Sequence, residues 1–329
     1  MNWNSVSVLV TGAGGFIGST LVEALLQRGA RVRAFVRYNS RGDVGFLGEL
    51  AAELRPSLEI VAGDLRDASA VLRATGDVDT IMHLGALIAI PYSYVHPREV
   101  VETNVTGTLN VLEAARRTKP RRVVHTSTSE VYGTARYVPI DEKHPVQGQS
   151  PYSASKIAAD KIVESYYRAF DVPAVTVRPF NTYGPRQSAR AVIPTIITQA
   201  LTRPEIRLGS LTPTRDLTYV DDTVKGFIRA AEAENVSGCE INLGINDEVS
   251  IGELVAEILR ITGRSVPVVV DEARVRPAKS EVERLHSDNT LARELLGWTP
   301  AVPLSEGLGR TIDWIRENMH RYRVGEYQV

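Results

Sequence analysis

Tyr152 and Lys156 stand four residues apart in Tyr152-Ser153-Ala154-Ser155-Lys156, a spacing that puts both on one face of a helix. A phenol titrates near ~10 and is a poor base at neutral pH. A neighbouring ammonium favours the phenolate and lowers that value, so such a pair can take a proton from a hydroxyl while hydride leaves the same carbon. Taken alone, this spacing also arises as a surface pair. A second feature gives it a purpose. In Thr11-Gly12-Ala13-Gly14-Gly15-Phe16-Ile17-Gly18, Gly12 suits a tight turn, Gly15 lets backbone amides approach a pyrophosphate, and Gly18 lets a helix pack closely on a strand. The helix N-terminus adds free N–H donors and a partial positive charge. A third feature is a carboxylate, Glu130, in Thr128-Ser129-Glu130-Val131-Tyr132-Gly133, where a second proton-transfer group would sit at the carboxyl edge of a sheet. A helix cap is the bland alternative for it.

These groups need a scaffold, and the apolar pattern supplies one. Short apolar runs at 7–10, 31–36, 58–61, 80–84, 122–125 and 174–177 alternate with helical stretches at 16–28, about 97–117 and from about 152. That alternation predicts βαβ crossovers, and hence a Rossmann-type, doubly wound parallel α/β sheet covered on both faces. After Pro179 the pattern loosens into helices near 193–201, 223–233, 250–262, 290–296 and 305–318, with short strands at 240–243 and 266–270. Ser250 and Glu253 form a capping signature. The expected division is a dinucleotide-binding domain of residues 1–178 plus about 216–245, and a smaller mixed α/β domain of about 179–215 plus 246–329.

The second strand ends Phe35-Val36-Arg37-Tyr38-Asn39-Ser40-Arg41, with no acid to read a ribose 2′-hydroxyl. Arg37, Ser40 and Arg41 would instead suit a 2′-phosphate, which favours NADP slightly over NAD; a solvated basic loop is the alternative. Asp64, ending the third strand, is placed to meet adenine.

Composition sets outer bounds. In 329 residues, 43% are apolar and 23% charged, enough for a core and too few charges for disorder. Lys plus Arg number 38 against 39 Asp plus Glu, which removes the electrostatic case for nucleic acid or anionic membrane as the main partner. Cys239 is the one cysteine, so no intrachain disulfide or cysteine zinc site is possible. The histidines show no metal-ligand spacing, no metal is expected, and no run approaches the ~20 apolar residues of a membrane span. The N-terminus lacks a basic n-region and does not read as a signal peptide. The expectation is a soluble, cytoplasmic protein.

Together the glycine loop, Asn104 in Thr103-Asn104-Val105-Thr106-Gly107-Thr108, Tyr152–Lys156, Arg178-Pro179-Phe180-Asn181-Thr182-Tyr183-Gly184-Pro185-Arg186 and Arg215-Asp216-Leu217-Thr218-Tyr219-Val220-Asp221-Asp222 resemble the extended short-chain dehydrogenase/reductase family, specifically its nucleotide-sugar epimerases and dehydratases, over essentially the whole chain. The resemblance implies a tightly bound NAD(P), a nucleotide-diphosphate sugar substrate, and a homodimer formed through helices 97–117 and 152–169. It implies a redox triad of Thr128, Tyr152 and Lys156, with Asn104 ordering the lysine or a water. The cofactor set it implies is Gly12, Gly15, Phe16, Ile17, Gly18, Arg37, Asn39, Ser40, Arg41, Asp64, Leu65, Leu84, Ala86 and Asn104, with Tyr152 and Lys156. The substrate set is Ser129, Asn181, Arg186, Arg215 and Arg276, the arginines being apt diphosphate clamps.

The reaction is read from Glu130. A 4-epimerase only removes and returns hydride at C4, whereas a 4,6-dehydratase must also abstract the C5 proton and expel the C6 hydroxyl. Thr-Ser-Glu-Val-Tyr-Gly looks like the segment of dehydratases that retain configuration at C5, and also like that of UDP-glucuronate decarboxylases. Glucose-type dehydratases carry Asp where this chain has Ser129, so the acid for the leaving hydroxyl is unassigned. Residues 89–94, 187–194 and 209–216 resemble the 4,6-dehydratases of nucleotide-activated N-acetylglucosamine in bacterial 6-deoxy-amino-sugar pathways, including that of legionaminic acid. UDP and GDP stay open. The alternatives are the decarboxylase, a 4-epimerase, and a non-catalytic NADP-sensing protein of the same fold, which intact Tyr152, Lys156 and Glu130 argue against.

Overall fold

The computed structural model describes residues 2–275 and 277–324. Six strands arise in the first half: β1 (Ser7–Thr11), β2 (Arg31–Arg37), β3 (Leu58–Gly63), β4 (Thr80–His83), β5 (Arg122–Thr126) and β6 (Ala174–Pro179). Four short strands follow, β7 (Asn181–Tyr183), β8 (Ile206–Leu208), β9 (Thr214–Arg215) and β10 (Leu217–Tyr219), before β11 (Glu240–Leu243) returns to the main sheet. The order is β11-β6-β5-β4-β1-β2-β3, and every adjacent pair is parallel. This is the Rossmann-type α/β fold expected. The β-branched centres of β1, β4 and β5 are buried on both faces, as a doubly covered parallel sheet requires.

Helices α1 (Phe16–Gln27), α2 (Ala68–Ala74), α3 (Ile90–Val95), α4 (Pro97–Val101), α5 (Gly107–Thr118) and α6 (Pro151–Phe170) connect these strands. One sheet face packs Leu9, Ile81 and Val123 on residues of α2, α5 and α6, including Val71, Leu112 and Val163. The other face joins Val10, Met82 and Val177 to the C-terminal helices through Ile196, Leu254 and Ile312, in one continuous core.

The structure departs from expectation in one element that matters for the site. The helix expected at 97–117 is broken by a π turn at Glu102–Thr106. Such single turns insert a residue and re-aim side chains. Here the turn directs Asn104 inward, where it is buried, and the Thr108 hydroxyl donates to the Asn104 carbonyl at 2.6 Å. Helix α6 starts where the sequence suggested, with Pro151 at its first position and a Ser150–Ser153 capping box.

Candidate active site

The glycine loop forms at the end of β1. Gly12 has φ +70°, and a Cβ there would meet the Gly85 backbone at 2.9 Å. A Cβ on Gly18 would lie 2.2 Å from the Gly12 carbonyl oxygen, so α1 can approach β1 this closely only through a residue without a side chain. Gly15 caps α1 with no side-chain hydrogen bond on the N-terminal amides. That bare helix end, bounded by backbone that no Cβ could clear, fits a pyrophosphate. Phe16 and Ile17 begin α1 half-buried. Beneath the loop, Thr11 Oγ1 accepts from Gly85 N at 3.0 Å and contacts His83 Nδ1 at 2.8 Å, while His83 Nε2 meets Thr108 Oγ1 at 3.0 Å. Burial drives the His83 pKa well down, so the ring serves as a neutral strut between strand and helix. Leu84 and Ala86 lie half-buried in the segment after β4.

Asn104 pins that segment. Its Oδ1 accepts from Leu87 N at 2.8 Å, and its Nδ2 donates to Leu87 O and to Ser155 Oγ, both at 2.9 Å. Asn104 thereby ties the loop after β4 to α6 one residue before the lysine.

Tyr152, Lys156 and Asp160 follow one another along α6 at four-residue steps, all buried. The Lys156 ammonium donates to the Thr126 carbonyl at 2.6 Å. Burial pushes its pKa down to about 8, against the charge of Asp160, which raises it. Burial also raises the Tyr152 phenol, helped by the charges of Glu130 and Asp160, while the Thr128 hydroxyl acts the other way. The lowering expected from Lys156 is not found; the ammonium is spent on the β5 carbonyl instead.

Glu130 lies just past β5 in the turn Ser129–Tyr132, 9% exposed. Thr128 caps this turn, its Oγ1 accepting from Glu130 N at 3.2 Å. Among the described residues no donor or cation engages the Glu130 carboxylate, yet it is close enough to bear on the Tyr152 phenol. Ser129 is buried beside it.

The segment carrying Thr128 to Glu130 is bolted at both ends by a network that sequence reasoning missed. Asp160 accepts from Ser127 Oγ at 2.7 Å and pairs with His125 Nε2 at 3.2 Å and Arg178 at 3.0 Å. Arg178 also donates to the Tyr132 hydroxyl at 3.0 Å and pairs with Glu240 at 2.7 Å; Tyr132 in turn donates to Asn242 at 2.7 Å. Burial alone would raise the Asp160 carboxyl, but His125, Arg178 and Lys156 hold it below the usual range. The available signal was the four-residue step from Lys156 to Asp160, which by itself says nothing about a partner on β6.

Two arginines of the expected substrate set face acids in this structure. Arg186, at φ +70°, pairs with Glu23 on α1 at 2.7 Å. Arg215 is buried, donating to Thr214 O and pairing with Glu281 at 3.3 Å. Asn181 begins β7, and its buried Oδ1 has no partner among the described residues. Arg276 lies outside the described residues. In the Arg215–Asp222 motif the acids are structural. Asp216 receives Ile245 N, Asn246 N and Ser287, its pKa pushed up to about 6 by burial, and Asp222 receives Ala301 N and Val302 N.

At the other end of the cleft, Asp64 is held below the usual carboxylate range by its hydrogen bond to Arg66, 2.6 Å away, and Leu65 is buried. Arg37 meets Glu99 at 3.3 Å. Asn39 serves its own loop, donating to Asp43 O at 2.7 Å and accepting from Arg41 N at 3.1 Å; Ser40 and Arg41 are exposed. Among the described residues, no group of three or more His, Cys, Asp or Glu is placed to hold a metal, and no helix is long and apolar enough to cross a membrane.

A parallel Rossmann-type sheet carrying a glycine loop, with a tyrosine, a lysine and a carboxylate at its carboxyl edge, defines a class of nucleotide-sugar enzymes. Comparison with known proteins agrees. The model of the family described as GDP-mannose 4,6 dehydratase matches residues 9–311, and the chain belongs to that family, within the extended short-chain dehydrogenases/reductases. It is 37% identical to the UDP-glucose 4-epimerase of Mycolicibacterium smegmatis, over 94% of this chain and 98% of that one. It is 32% identical to the UDP-N-acetyl-alpha-D-glucosaminuronate decarboxylase of Bacillus cytotoxicus, covering 94% and 97%. Its structure matches that of the dTDP-glucose 4,6-dehydratase DesIV from Streptomyces venezuelae, solved with NAD and TYD bound, with a TM-score of 0.85, 32% identity and 96% and 99% coverage. These relatives span epimerase, decarboxylase and dehydratase chemistry, and none of the three is named for the dehydration of activated N-acetylglucosamine.

Proposed function

We propose that the protein is a nucleotide-sugar 4,6-dehydratase acting on UDP- or GDP-linked N-acetylglucosamine. The observation that carries this reading is Glu130: a largely buried residue whose carboxylate makes no hydrogen bond or ion pair among the described residues, close enough to bear on the Tyr152 phenol. A 4-epimerase has no proton to move at C5 and no use for such a group. A decarboxylase would hold its substrate carboxylate with cations, but Arg178, bonded to Tyr132 in the Glu130 turn, already faces Asp160 and Glu240.

In this reading the bare amides at the α1 N-terminus hold the pyrophosphate of NAD(P), as DesIV was solved with NAD bound. Held there, NAD(P) would supply the acceptor for the C4 hydride and the source of the hydride that C6 receives. Tyr152, acting as its phenolate with the Thr128 hydroxyl nearby, takes the O4 proton and becomes the phenol. Lys156, fixed to the Thr126 carbonyl, supplies the positive charge that favours that phenolate. Glu130 removes the C5 proton, which the C4 ketone has acidified, and carries it to the departing C6 oxygen; Ser129 and Thr128 hold that oxygen. A proton then returns to C5, so the net change is loss of water. Asn181 and Arg215 serve the nucleotide diphosphate, the amide Nδ2 and the guanidinium donating to its oxygens. Residues 179–215 and 246–329 form the substrate lobe of this proposal, and two copies pair through α4–α5 and α6.

Incubation with C4-deuterated UDP- or GDP-N-acetylglucosamine should deliver the label to C6 of a 4-keto-6-deoxy product. Recovery of sugar epimerised at C4, with no elimination, would show an epimerase; a carbon dioxide-releasing reaction of UDP-glucuronate would show a decarboxylase. A pH dependence follows from Lys156. Its protonated form is the active one and titrates at about 8, so kcat/KM should fall as pH rises through that value.

A further inference from the structure

The second strand ends without the acid that reads a ribose 2′-hydroxyl, but the structure brings one there from another element. Glu99 on α4 places Oε1 against Arg37, while the Tyr92 hydroxyl holds Oε2. These contacts set Glu99 below the usual carboxylate range, the Tyr92 hydrogen bond first among them. On the other side Arg37 feels the charge of Asp64, which itself carries Arg66 at 2.6 Å; Arg66 also lies 3.9 Å from Glu102. The patch where β2 and β3 end thus pairs three carboxylates, Asp64, Glu99 and Glu102, with three guanidinium groups, Arg37, Arg66 and Arg98, so that each cation already faces an acid. We infer that Glu99 sets the cofactor preference, occupying Arg37 and selecting the 2′-hydroxyl of NAD over the 2′-phosphate of NADP.

The inference rests on the nucleotide-binding part of the proposed function, and it reverses the lean to NADP drawn from Arg37, Ser40 and Arg41. A 2′-phosphate brings about −1.5 to −2 charge into a patch whose cations already face acids. It would have to displace Glu99 from Arg37 to gain its bidentate contact. Ser40 and Arg41 lie on a loop closed by Asn39 on its own backbone, and both are exposed to solvent. Arg37 is also 65% exposed along its side chain, so water and salt reduce the discrimination; it is tens of fold rather than thousands.

The test is calorimetric titration of nucleotide-free protein with NAD and with NADP, which needs no sugar turnover. The wild-type chain should bind NAD the more tightly. Glu99→Gln frees Arg37 and should tighten NADP about tenfold or more, equivalent to ~1.4 kcal/mol, with NAD changed far less. Adding Arg37→Ala to Glu99→Gln should abolish that gain. Tighter binding of NADP by the wild type, or an NADP/NAD ratio unmoved by Glu99→Gln, would overturn the assignment of Glu99. Binding of neither nucleotide would instead remove the cofactor reading on which it stands.

Discussion

Replacing Glu130 with Gln is expected to slow elimination about 10²–10⁴-fold, the range for losing one positioned proton-transfer group. The substitution keeps shape and volume, and the Glu130 carboxylate has no partner among the described residues whose loss would disturb the fold. The first half of the reaction belongs to Tyr152 and Lys156 on α6, which the substitution leaves in place. The variant should therefore oxidise C4 and accumulate reduced cofactor, visible as its near-ultraviolet absorbance, while the 4-keto-6-deoxy product fails to appear. Unfolding temperature should match the wild type, and exchange of the C5 hydrogen with heavy water should cease. Elimination at the wild-type rate would dismiss Glu130 as the base and assign the C5 proton to another group. Loss of cofactor reduction along with elimination would place Glu130 in the first step instead.

Removing the charge of Asp160 should produce the largest loss of stability. Its carboxylate is 2% exposed, and Arg178 is 1% exposed. Taking one partner from a buried ion pair leaves an uncompensated charge and costs about 3–5 kcal/mol. Glu240 also faces Arg178 at 2.7 Å, so Asp160→Asn should fall at the low end of that range, measured by denaturant unfolding. The sign with pH follows from the depressed folded pKa. The stabilisation is full above the ordinary Asp value of ~3.9 and fades as pH falls through the lower folded value. The wild type should lose this advantage over the variant in acid. A second effect separates positioning from bulk stability. Asp160 raises the Lys156 pKa toward its present value of about 8, so the alkaline limb of kcat/KM should move to lower pH in Asp160→Asn. Unchanged unfolding and an unmoved limb would show the network to be idle.

What could be read in the chain divides along a physical line. The glycine loop was legible because Gly12 and Gly18 answer local constraints, a positive φ and a backbone approach that any Cβ would block. Tyr152 and Lys156 were legible because helical periodicity alone aligns them. The strand and helix alternation gave the sheet, since a two-sided parallel strand must be apolar throughout. Three contacts left no such trace: Arg186 pairs with Glu23, Asn104 holds Leu87, and Arg37 faces Glu99.

Sequence by itself determined the element order, the cradle at the end of β1, and the identity of the groups able to move protons. Tertiary structure alone decided which charges meet. A long cation reaches whichever acid packing delivers, and the partners here stand 163 and 62 residues away along the chain for Arg186 and Arg37. The π turn that aims Asn104 inward belongs to the same category, since what it serves is contact with Leu87 and Ser155, 17 and 51 residues away. Backbone preferences act over a few residues and leave a periodic trace; ion pairs act across space and leave none.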